Sequence, residues 1–238
     1  MGARDRADAG TGVSRRSAAD ENDGVRDPAE VFPSWFFERQ DPSDDAWFYA
    51  SPRLVTHIDD RAIAAVGDLY TELGLRGRVL DLMASWVSHF PTAPADLVVL
   101  GMNGPELEAN PQATSHVVQD LNTDPVLPFP DASFDGVVCC VSVDYLIRPV
   151  EVLAEAARVL RPGAPVALTF SNRLFPSKAV SGWLAADEQQ RCAIAAEYVR
   201  LAEGFDEPEI SLRTPADRRC GGRYHGDPLY AVVARRAG

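Results

Sequence analysis

Five short apolar segments, separated by helical stretches, constrain this chain more than any other feature of its sequence. They are RVLDL, DLVVLGM, HVVQDL, FDGVVCCVSV and APVALTF, which begin at residues 78, 96, 116, 134 and 164. Apolar runs of this length are typical of strands buried on both faces, as in a parallel sheet. Strands that alternate with helices therefore predict an α/β fold with right-handed crossovers and helices on both faces.

Helices are predicted where apolar residues recur at spacings of three and four. One such pattern runs from Leu54 to the stop signal Gly74, a second runs through PVEVLAEAARVLRPG from Pro149, and a longer helical region spans 177–202. Near the C-terminus, PEISLR and PLYAVVARR are close enough in sequence to pair as an antiparallel hairpin. With that hairpin at one edge, the prediction is a mostly parallel, seven-stranded sheet.

The chain divides by composition into three parts. Residues 1–28 have almost no large apolar side chains, which predicts a disordered tail. Residues 29–53 form an aromatic-rich segment, and residues 54–238 form the main domain. The aromatic segment either fastens the N-terminus to the domain or acts as a lid that excludes water. Its aromatic residues are Trp35, Phe36, Phe37, Trp47, Phe48 and Tyr49.

Charge and composition narrow the class of partner. The formal net charge of −12 disfavours a nucleic acid, since phosphate binding depends on clustered cations. No apolar run is long enough to span a membrane and no secretory signal is visible, so we expect a cytoplasmic protein. The cysteines show no metal-binding spacing. We expect reduced thiols, with Cys139 and Cys140 packed in the core, and the sequence does not set the oligomeric state.

The run from Val117 to Phe170 resembles class I S-adenosylmethionine-dependent methyltransferases of the subgroup often called type 11. Pro128–Asp135 matches PFxDxSFD before the fourth strand, and Arg158–Gly163 matches the end of the crossover helix. The turn DLMASWVSHF also resembles uncharacterised methyltransferase-like proteins from bacteria and photosynthetic organisms. The resemblance implies a Rossmann-like methyltransferase fold, S-adenosylmethionine as cofactor and methyl transfer to a small-molecule acceptor.

The resemblance also implies a cofactor site. Asp81 stands where the family has an acid near the amino-acid end of the cofactor, Asn103 replaces the acid that binds the ribose, and Asp120, followed by Leu121, stands at the adenine. Each has a structural alternative: a helix cap for Asp81, a turn before Gly104 for Asn103, and an ordinary loop acid for Asp120. The resemblance further places Met83, Ser85, Gly101 and Ser142 beside the cofactor.

The turn after the first strand departs most from the family pattern. Glycines normally let the backbone approach the ligand there, and this chain has none between Leu82 and Pro91. We expect ordinary negative φ angles at Met83, Ala84 and Ser85, because a β-carbon makes positive φ costly. We also expect a short helix capped by Ser85 or Ser88.

Three side chains are candidates to remove a proton from the acceptor: His57, His89 and Tyr145, with Asp144 beside the tyrosine. His57 is predicted on the first helix, and His89 and Tyr145 beyond the carboxyl ends of strands one and four. Their structural alternatives are a surface histidine, a helix-end cap and a packed tyrosine. Arg53, Arg173 and Lys178 would hold an anionic acceptor unless they are solvated surface cations.

Two other functions stay open beside methyl transfer. The altered turn and Asn103 are compatible with a protein that binds the cofactor for regulation and has lost transfer activity. They are equally compatible with non-methylating chemistry in the same pocket, because one fold hosts many reactions. A nicotinamide dehydrogenase is disfavoured, because the glycine fingerprint and the ribose acid are both absent.

Overall fold

A computed structural model describes residues 1–2, 27–214 and 226–238 of the chain. Nearly all of the predicted tail, together with Cys220 and His225, lies outside these residues. None of the helices in the described parts of the chain is long and apolar enough to cross a membrane.

The predicted seven-stranded sheet is confirmed, with the strand order β3-β2-β1-β4-β5-β7-β6. Strands β1 to β5 are parallel, while β7 pairs antiparallel with both β5 and β6. From β1 the chain adds β2 and then β3 on one side of β1, and it then adds β4 and β5 on the other side. The order of the strands therefore reverses between β1 and β4, and this is the topological switch point of the sheet. The strands are β1 (Arg78–Leu82), β2 (Asp96–Gly101), β3 (Ser115–Val118), β4 (Gly136–Cys140), β5 (Pro165–Phe170), β6 (Glu209–Leu212) and β7 (Tyr230–Arg235).

The helix predicted from Pro149 is confirmed, whereas the other two predicted helical regions differ in extent from the prediction. The helices of the described residues are α1 (Pro28–Val31), α2 (Asp45–Phe48), α3 (Asp60–Glu72), α4 (Gly104–Glu108), α5 (Pro149–Val159), α6 (Ser181–Ala185) and α7 (Glu188–Leu201), with 3-10 turns at Ser34–Phe37 and Val143–Tyr145.

The first long helix begins later than predicted. Helix α3 starts at Asp60 rather than near Leu54, because the Asp59 carboxylate caps it by accepting a hydrogen bond from the Ala62 amide. The prediction that His57 lies on this helix is therefore wrong, and His57 precedes the cap. Likewise, the helical region from 177 to 202 is two helices, since a capping box at Asp187 starts α7.

The core lies on both faces of the sheet, and strand alternation decides which side chains enter each layer. One layer combines Leu80 and Leu82 of β1 with helices α5 and α7, and the other combines Val79 with α3. By the same alternation Asp81 shares the α3 side with Val79. Cys139 and Cys140 are free thiols within the sheet, as predicted, and Cys192 is a free thiol on α7.

The aromatic segment divides into two groups, which the sequence did not predict. Phe36 and Phe37 join Phe32 against Tyr198 of α7, with ring centroids between 4.5 and 6.2 Å apart. This group fastens the N-terminus. Phe48 and Tyr49 instead lie near Phe175 at the carboxyl ends of the strands, Trp35 is half-exposed and Trp47 is 81% exposed.

A buried ion network fixes the N-terminal segment between these two aromatic groups. The Lys178 ammonium is completely buried, 3.1 Å from an oxygen of Asp41 and 3.2 Å from an oxygen of Asp45. Asp45 also accepts two hydrogen bonds from the Arg39 guanidinium. Lys178 thus has a structural role, and both expectations for it, an anion-binding residue and a solvated surface cation, are wrong.

Gly182→Ala should lower the free energy of unfolding by about 1–3 kcal/mol, the usual cost of overpacking. A β-carbon at Gly182 would lie 2.1 Å from the Phe36 ring, so the first aromatic group would have to move. Chemical denaturation of a double-mutant cycle measures this coupling. Gly182→Ala should be neutral in the Phe36→Ala background; an equal cost in both backgrounds would contradict the proposed contact.

Candidate active site

A cavity of about 390 Å³ opens at the carboxyl ends of the parallel strands, over the switch point between β1 and β4. This is the position at which open α/β sheets bind ligands. Ten of the predicted site residues line it, and His89 does not. The ten are His57, Asp81, Met83, Ser85, Gly101, Asn103, Asp120, Leu121, Ser142 and Tyr145.

Asp81 is the buried acid of the cavity. Its side chain is 3% exposed and accepts a hydrogen bond from the Ser88 hydroxyl. Burial raises the pKa of this carboxyl to about 7, because the charged form loses more hydration than one hydroxyl restores. Asp81 does not cap a helix, so the structural alternative for this residue is excluded.

The turn after β1 contradicts the predicted backbone geometry at its first residue. Met83 has φ of 53°, so one residue with a β-carbon adopts the left-handed conformation that glycine would supply. No helix follows; residues 83–90 form an irregular turn and Ser85 and Ser88 cap nothing. The prediction failed because neighbouring elements, rather than local preference, fix the turn.

The close approach between the turn and its neighbour depends on a glycine in the adjacent strand, Gly101 at the end of β2. The Ala84 amide donates to the Leu100 carbonyl at 2.8 Å, which brings the turn against the end of β2. A β-carbon at Gly101 would lie 2.3 Å from the Ala84 carbonyl oxygen. Gly101 therefore allows the close approach of two backbones. The prediction that Gly101 also contacts the cofactor stays a prediction.

Side chains from the segment after β2 hold the turn in place. The Asn110 amide donates to the Ser85 carbonyl at 3.1 Å and to the Ser88 hydroxyl at 2.8 Å. The Gln112 side chain exchanges two hydrogen bonds with the backbone of Phe90. A chain of hydrogen bonds thus runs from Asn110 through Ser88 to Asp81 and orients the buried carboxyl.

Two non-glycine residues with positive φ, Met83 and Val141, directly follow the two strands of the switch point. Val141, directly after β4, has φ of 47°, which is rare for a β-branched residue. The Ser142 hydroxyl donates to the Cys140 carbonyl at 3.0 Å and reaches the Met83 carbonyl at 3.5 Å, so it links the two strained turns. Such strain persists only where the surrounding structure imposes it, and it is common at functional sites.

Asn103 has a structural role as a helix cap, whereas the structural alternative from the sequence was a turn before Gly104. Its side-chain oxygen caps α4 by accepting from the Glu106 amide. Its amide nitrogen donates to the carbonyls of Tyr49 at 2.7 Å and Ala50 at 3.3 Å. Asn103 therefore fastens residues 49–57, here called the strap, across the cavity mouth.

Two further side chains, those of Glu106 and Trp86, hold the strap. Glu106 accepts from the Arg53 amide at 2.6 Å and from the Ser85 hydroxyl at 2.5 Å. The Trp86 indole donates to the Val55 carbonyl at 3.0 Å. Sequence reasoning missed Glu106, although its position three residues after the cap Asn103 was a readable signal of a helix start.

Asp120 and Asn122 form the opposite rim. The Asp120 carboxylate accepts hydrogen bonds from the backbone amide of Asn122 and from the Thr123 hydroxyl. Asp120 therefore stabilises the loop in which it lies, and it also lines the cavity. The Asn122 side chain donates to Asp45 at 3.1 Å and to the Tyr145 carbonyl at 3.0 Å. Asn122, which sequence reasoning missed, thus ties the N-terminal segment to this rim.

The candidate bases differ in access to the cavity. His57 lines it, and burial lowers the pKa of its imidazole, which keeps the ring neutral at pH 7. Burial also lowers the pKa of His89, which lies outside the lining and has φ of 59°. The Tyr145 hydroxyl accepts from the Phe175 amide, and burial, together with the nearby Asp144 carboxyl, raises its pKa. Asp144 is buried and does not line the cavity.

Two of the predicted cations line the cavity. Arg53 lies within it, with its guanidinium over the Phe48 ring at 4.6 Å. Arg173 lies at the edge, with a side chain 63% exposed and 3.9 Å from Asp227.

Comparison with known proteins agrees with this architecture. Residues 98–168 match the family model described as a methyltransferase domain. No curated protein gives a significant match. Solved structures with the same fold include the 4+2 cyclase SpnF, with a TM-score of 0.54 and 15% identity over 79% of this chain and 90% of that one.

Two archaeal structures are similar to the same degree. An S-adenosylmethionine-dependent methyltransferase from Archaeoglobus fulgidus has a TM-score of 0.52 and 14% identity, over 74% of this chain and 95% of that one. A chain from the complex between the Haloferax volcanii Trm112 methyltransferase activator and a methyltransferase has a TM-score of 0.51 and 17% identity, over 76% and 89%. At these identities the likeness shows the fold.

The resemblance to class I S-adenosylmethionine-dependent methyltransferases is therefore confirmed. The chain has their Rossmann-like fold, and its central strands carry the methyltransferase domain match.

Asp81→Asn should stabilise the ligand-free protein increasingly as pH rises from 4 to 7, and by a constant amount above 7. The folded pKa of about 7 exceeds the ordinary 3.8, so the folded state retains a proton that the unfolded chain loses in this window, and wild-type stability falls with rising pH. The difference at pH 8 should be on the order of 1–4 kcal/mol.

Urea denaturation across this pH range gives the difference between variant and wild type. Asp68→Asn, at an exposed position on α3, controls for loss of one acidic group. A difference that is the same at pH 4 and pH 8 would contradict a buried, protonated Asp81.

Proposed function

We propose that this protein is an S-adenosylmethionine-dependent methyltransferase that acts on a small molecule. The observation that carries the proposal is the buried Asp81 carboxyl, which faces the cavity at the switch point with one hydroxyl as its hydrogen-bond donor. A buried acid so poorly compensated calls for a cationic partner. The ammonium group of the cofactor's methionine end is such a partner.

The other lining residues fit the rest of the cofactor. The cavity volume falls within the range of small-molecule sites, roughly 300–1,000 Å³. We assign Asp120 and Leu121, which line the cavity, to the adenine, through the acceptor capacity left on the carboxylate and an apolar side chain. At the proposed ribose position, Asn103 would accept hydrogen bonds from the ribose hydroxyls less well than an acid would, since its side-chain oxygen already caps α4.

When bound, the cofactor supplies an electrophilic methyl group on a sulfonium, and the electrons of the broken carbon–sulfur bond return to sulfur. The protein's part is then to orient the acceptor and to exclude water. The strap, with Tyr49 in the cavity lining, covers the mouth. We assign the removal of a proton from the acceptor to His57, which lines the cavity and is neutral because burial lowers its pKa.

A regulatory protein that binds the cofactor without turnover is the second candidate. It is favoured by the same two departures: the turn at Met83 replaces a glycine-rich loop, and Asn103 is engaged in holding the strap. Neither departure closes the cavity, so both candidates predict cofactor binding and they differ in turnover.

Calorimetry with S-adenosylhomocysteine between pH 5 and 7 tests cofactor binding. Affinity should rise with pH, by up to about tenfold per unit, because the buried Asp81 must lose its proton to pair with the ammonium. Asp81→Asn should weaken binding by about 1–3 kcal/mol and remove the pH dependence.

Methylthioadenosine, which lacks the amino-acid end, is the matched control ligand, and its affinity should not depend on pH or on Asp81. Absence of S-adenosylhomocysteine binding would overturn the proposal. Binding of S-adenosylmethionine without methyl transfer to any member of an acceptor library would support the regulatory candidate instead.

A further inference from the structure

Arg53 is a cation in the cavity whose hydrogen-bonding capacity is mostly unused. Among the described residues, one guanidinium nitrogen donates to the Phe48 carbonyl at 2.7 Å, and no carboxylate forms an ion pair with the side chain. An arginine held beside a cavity without a carboxylate partner retains a planar set of donors for an anion.

Aromatic rings fix the orientation of this guanidinium. Its central carbon lies 4.6 Å from the ring centroid of Phe48, 5.8 Å from that of Tyr49 and 5.6 Å from that of Phe175. Cation–π contacts of this kind preorganise the fork without neutralising it. The backbone is fixed as well, because the Arg53 amide donates to Glu106.

The carboxylates around the cavity have other partners. Asp45 is paired with Arg39 and Lys178, and Glu106 accepts from the Arg53 amide and the Ser85 hydroxyl. Asp120 accepts within its own loop. Asp81, at the end of β1, is reserved in the proposed function for the cofactor's ammonium. The Arg53 guanidinium is therefore available to a ligand anion.

The aromatic groups around Arg53 favour a flat ligand. Phe175 is central: its ring lies 5.3 Å from the His57 ring and 6.0 Å from the Tyr145 ring, centroid to centroid. Arg53, His57, Tyr145 and Phe175 thus border the same part of the cavity lining. Planar ligands gain from offset or edge contacts with such rings.

We propose that the Arg53 guanidinium binds a carboxylate of the methyl acceptor, and that the acceptor is a small planar carboxylic acid. This inference rests on the proposed function and adds the substrate class. A carboxylate matches the arginine fork in geometry and charge. The carboxylate at the methionine end of the cofactor could bind the same guanidinium, so the test must distinguish a carboxylate of the acceptor from that of the cofactor.

Benzoate and its neutral isostere benzamide are suitable probes. Saturation-transfer NMR should show that benzoate binds the S-adenosylhomocysteine complex at least about tenfold more tightly than benzamide, as expected for a charge-assisted pair. Arg53→Gln should remove this preference, whereas the affinity for S-adenosylhomocysteine should change less than twofold, roughly.

Arg53→Lys keeps the charge and loses the planar fork, so it should weaken benzoate binding and still bind S-adenosylhomocysteine; it also serves if Arg53→Gln does not fold. Arg76→Gln, at an exposed residue before β1, is the control and should leave both ligands unaffected. Circular dichroism and thermal melting establish that each variant is folded.

Three results would overturn the inference. Benzoate that binds no better than benzamide removes the anion site. If Arg173→Gln loses the preference for benzoate over benzamide and Arg53→Gln keeps it, the carboxylate binds Arg173 rather than Arg53. A tenfold loss of S-adenosylhomocysteine affinity in Arg53→Gln, roughly, assigns the guanidinium to the cofactor's carboxylate. If wild type binds benzoate but not S-adenosylhomocysteine, the proposed function fails while the anion site stands.

Discussion

The contact between the turn after β1 and the end of β2 determines the shape of the candidate site. Ala84 donates to Leu100 and its carbonyl lies where a β-carbon of Gly101 would be, so the turn rests on the neighbouring strand. This contact lets the chain dispense with glycines in the turn itself, at the cost of a strained Met83. It also leaves Asp81 facing the cavity rather than capping a helix. The nearby Asn110 and Ser88 then hold the carboxyl in a fixed orientation.

The N-terminal segment covers the cavity on the side away from the sheet. It is held there by polar side chains that follow the carboxyl ends of β2 and β3. Asn103 and Glu106 bind the strap by its backbone, while Asn122 binds Asp45 at the far rim. Asn103, which the family resemblance assigns to cofactor contact, therefore also holds a cover over the cavity. Opening the strap would require breaking the bonds of Asn103, which couples access to the cavity with the residue beside the proposed ribose position.

The sequence predicted the sheet and its antiparallel edge, because buried strands are local signals, and ten of the predicted site residues line the cavity, most of them at the ends of parallel strands. It failed where a distant residue decides local structure. Positive φ at Met83 depends on Leu100 and Gly101. The start of α3 was instead a local signal that sequence reasoning missed, the capping carboxylate of Asp59. Lys178 resembled a surface cation, since nothing in its neighbourhood revealed that Asp41 and Asp45 pack around it. The division of the aromatic segment depended equally on tertiary packing against α7.

The most direct test of this account is a crystal structure of the S-adenosylhomocysteine complex. The account predicts the ligand ammonium within hydrogen-bond distance of the Asp81 carboxylate, with Met83 still at positive φ and Ala84 still against Gly101. An amino-acid end bound away from Asp81, or a turn that leaves β2 to form an ordinary backbone cradle around the ligand, would contradict it.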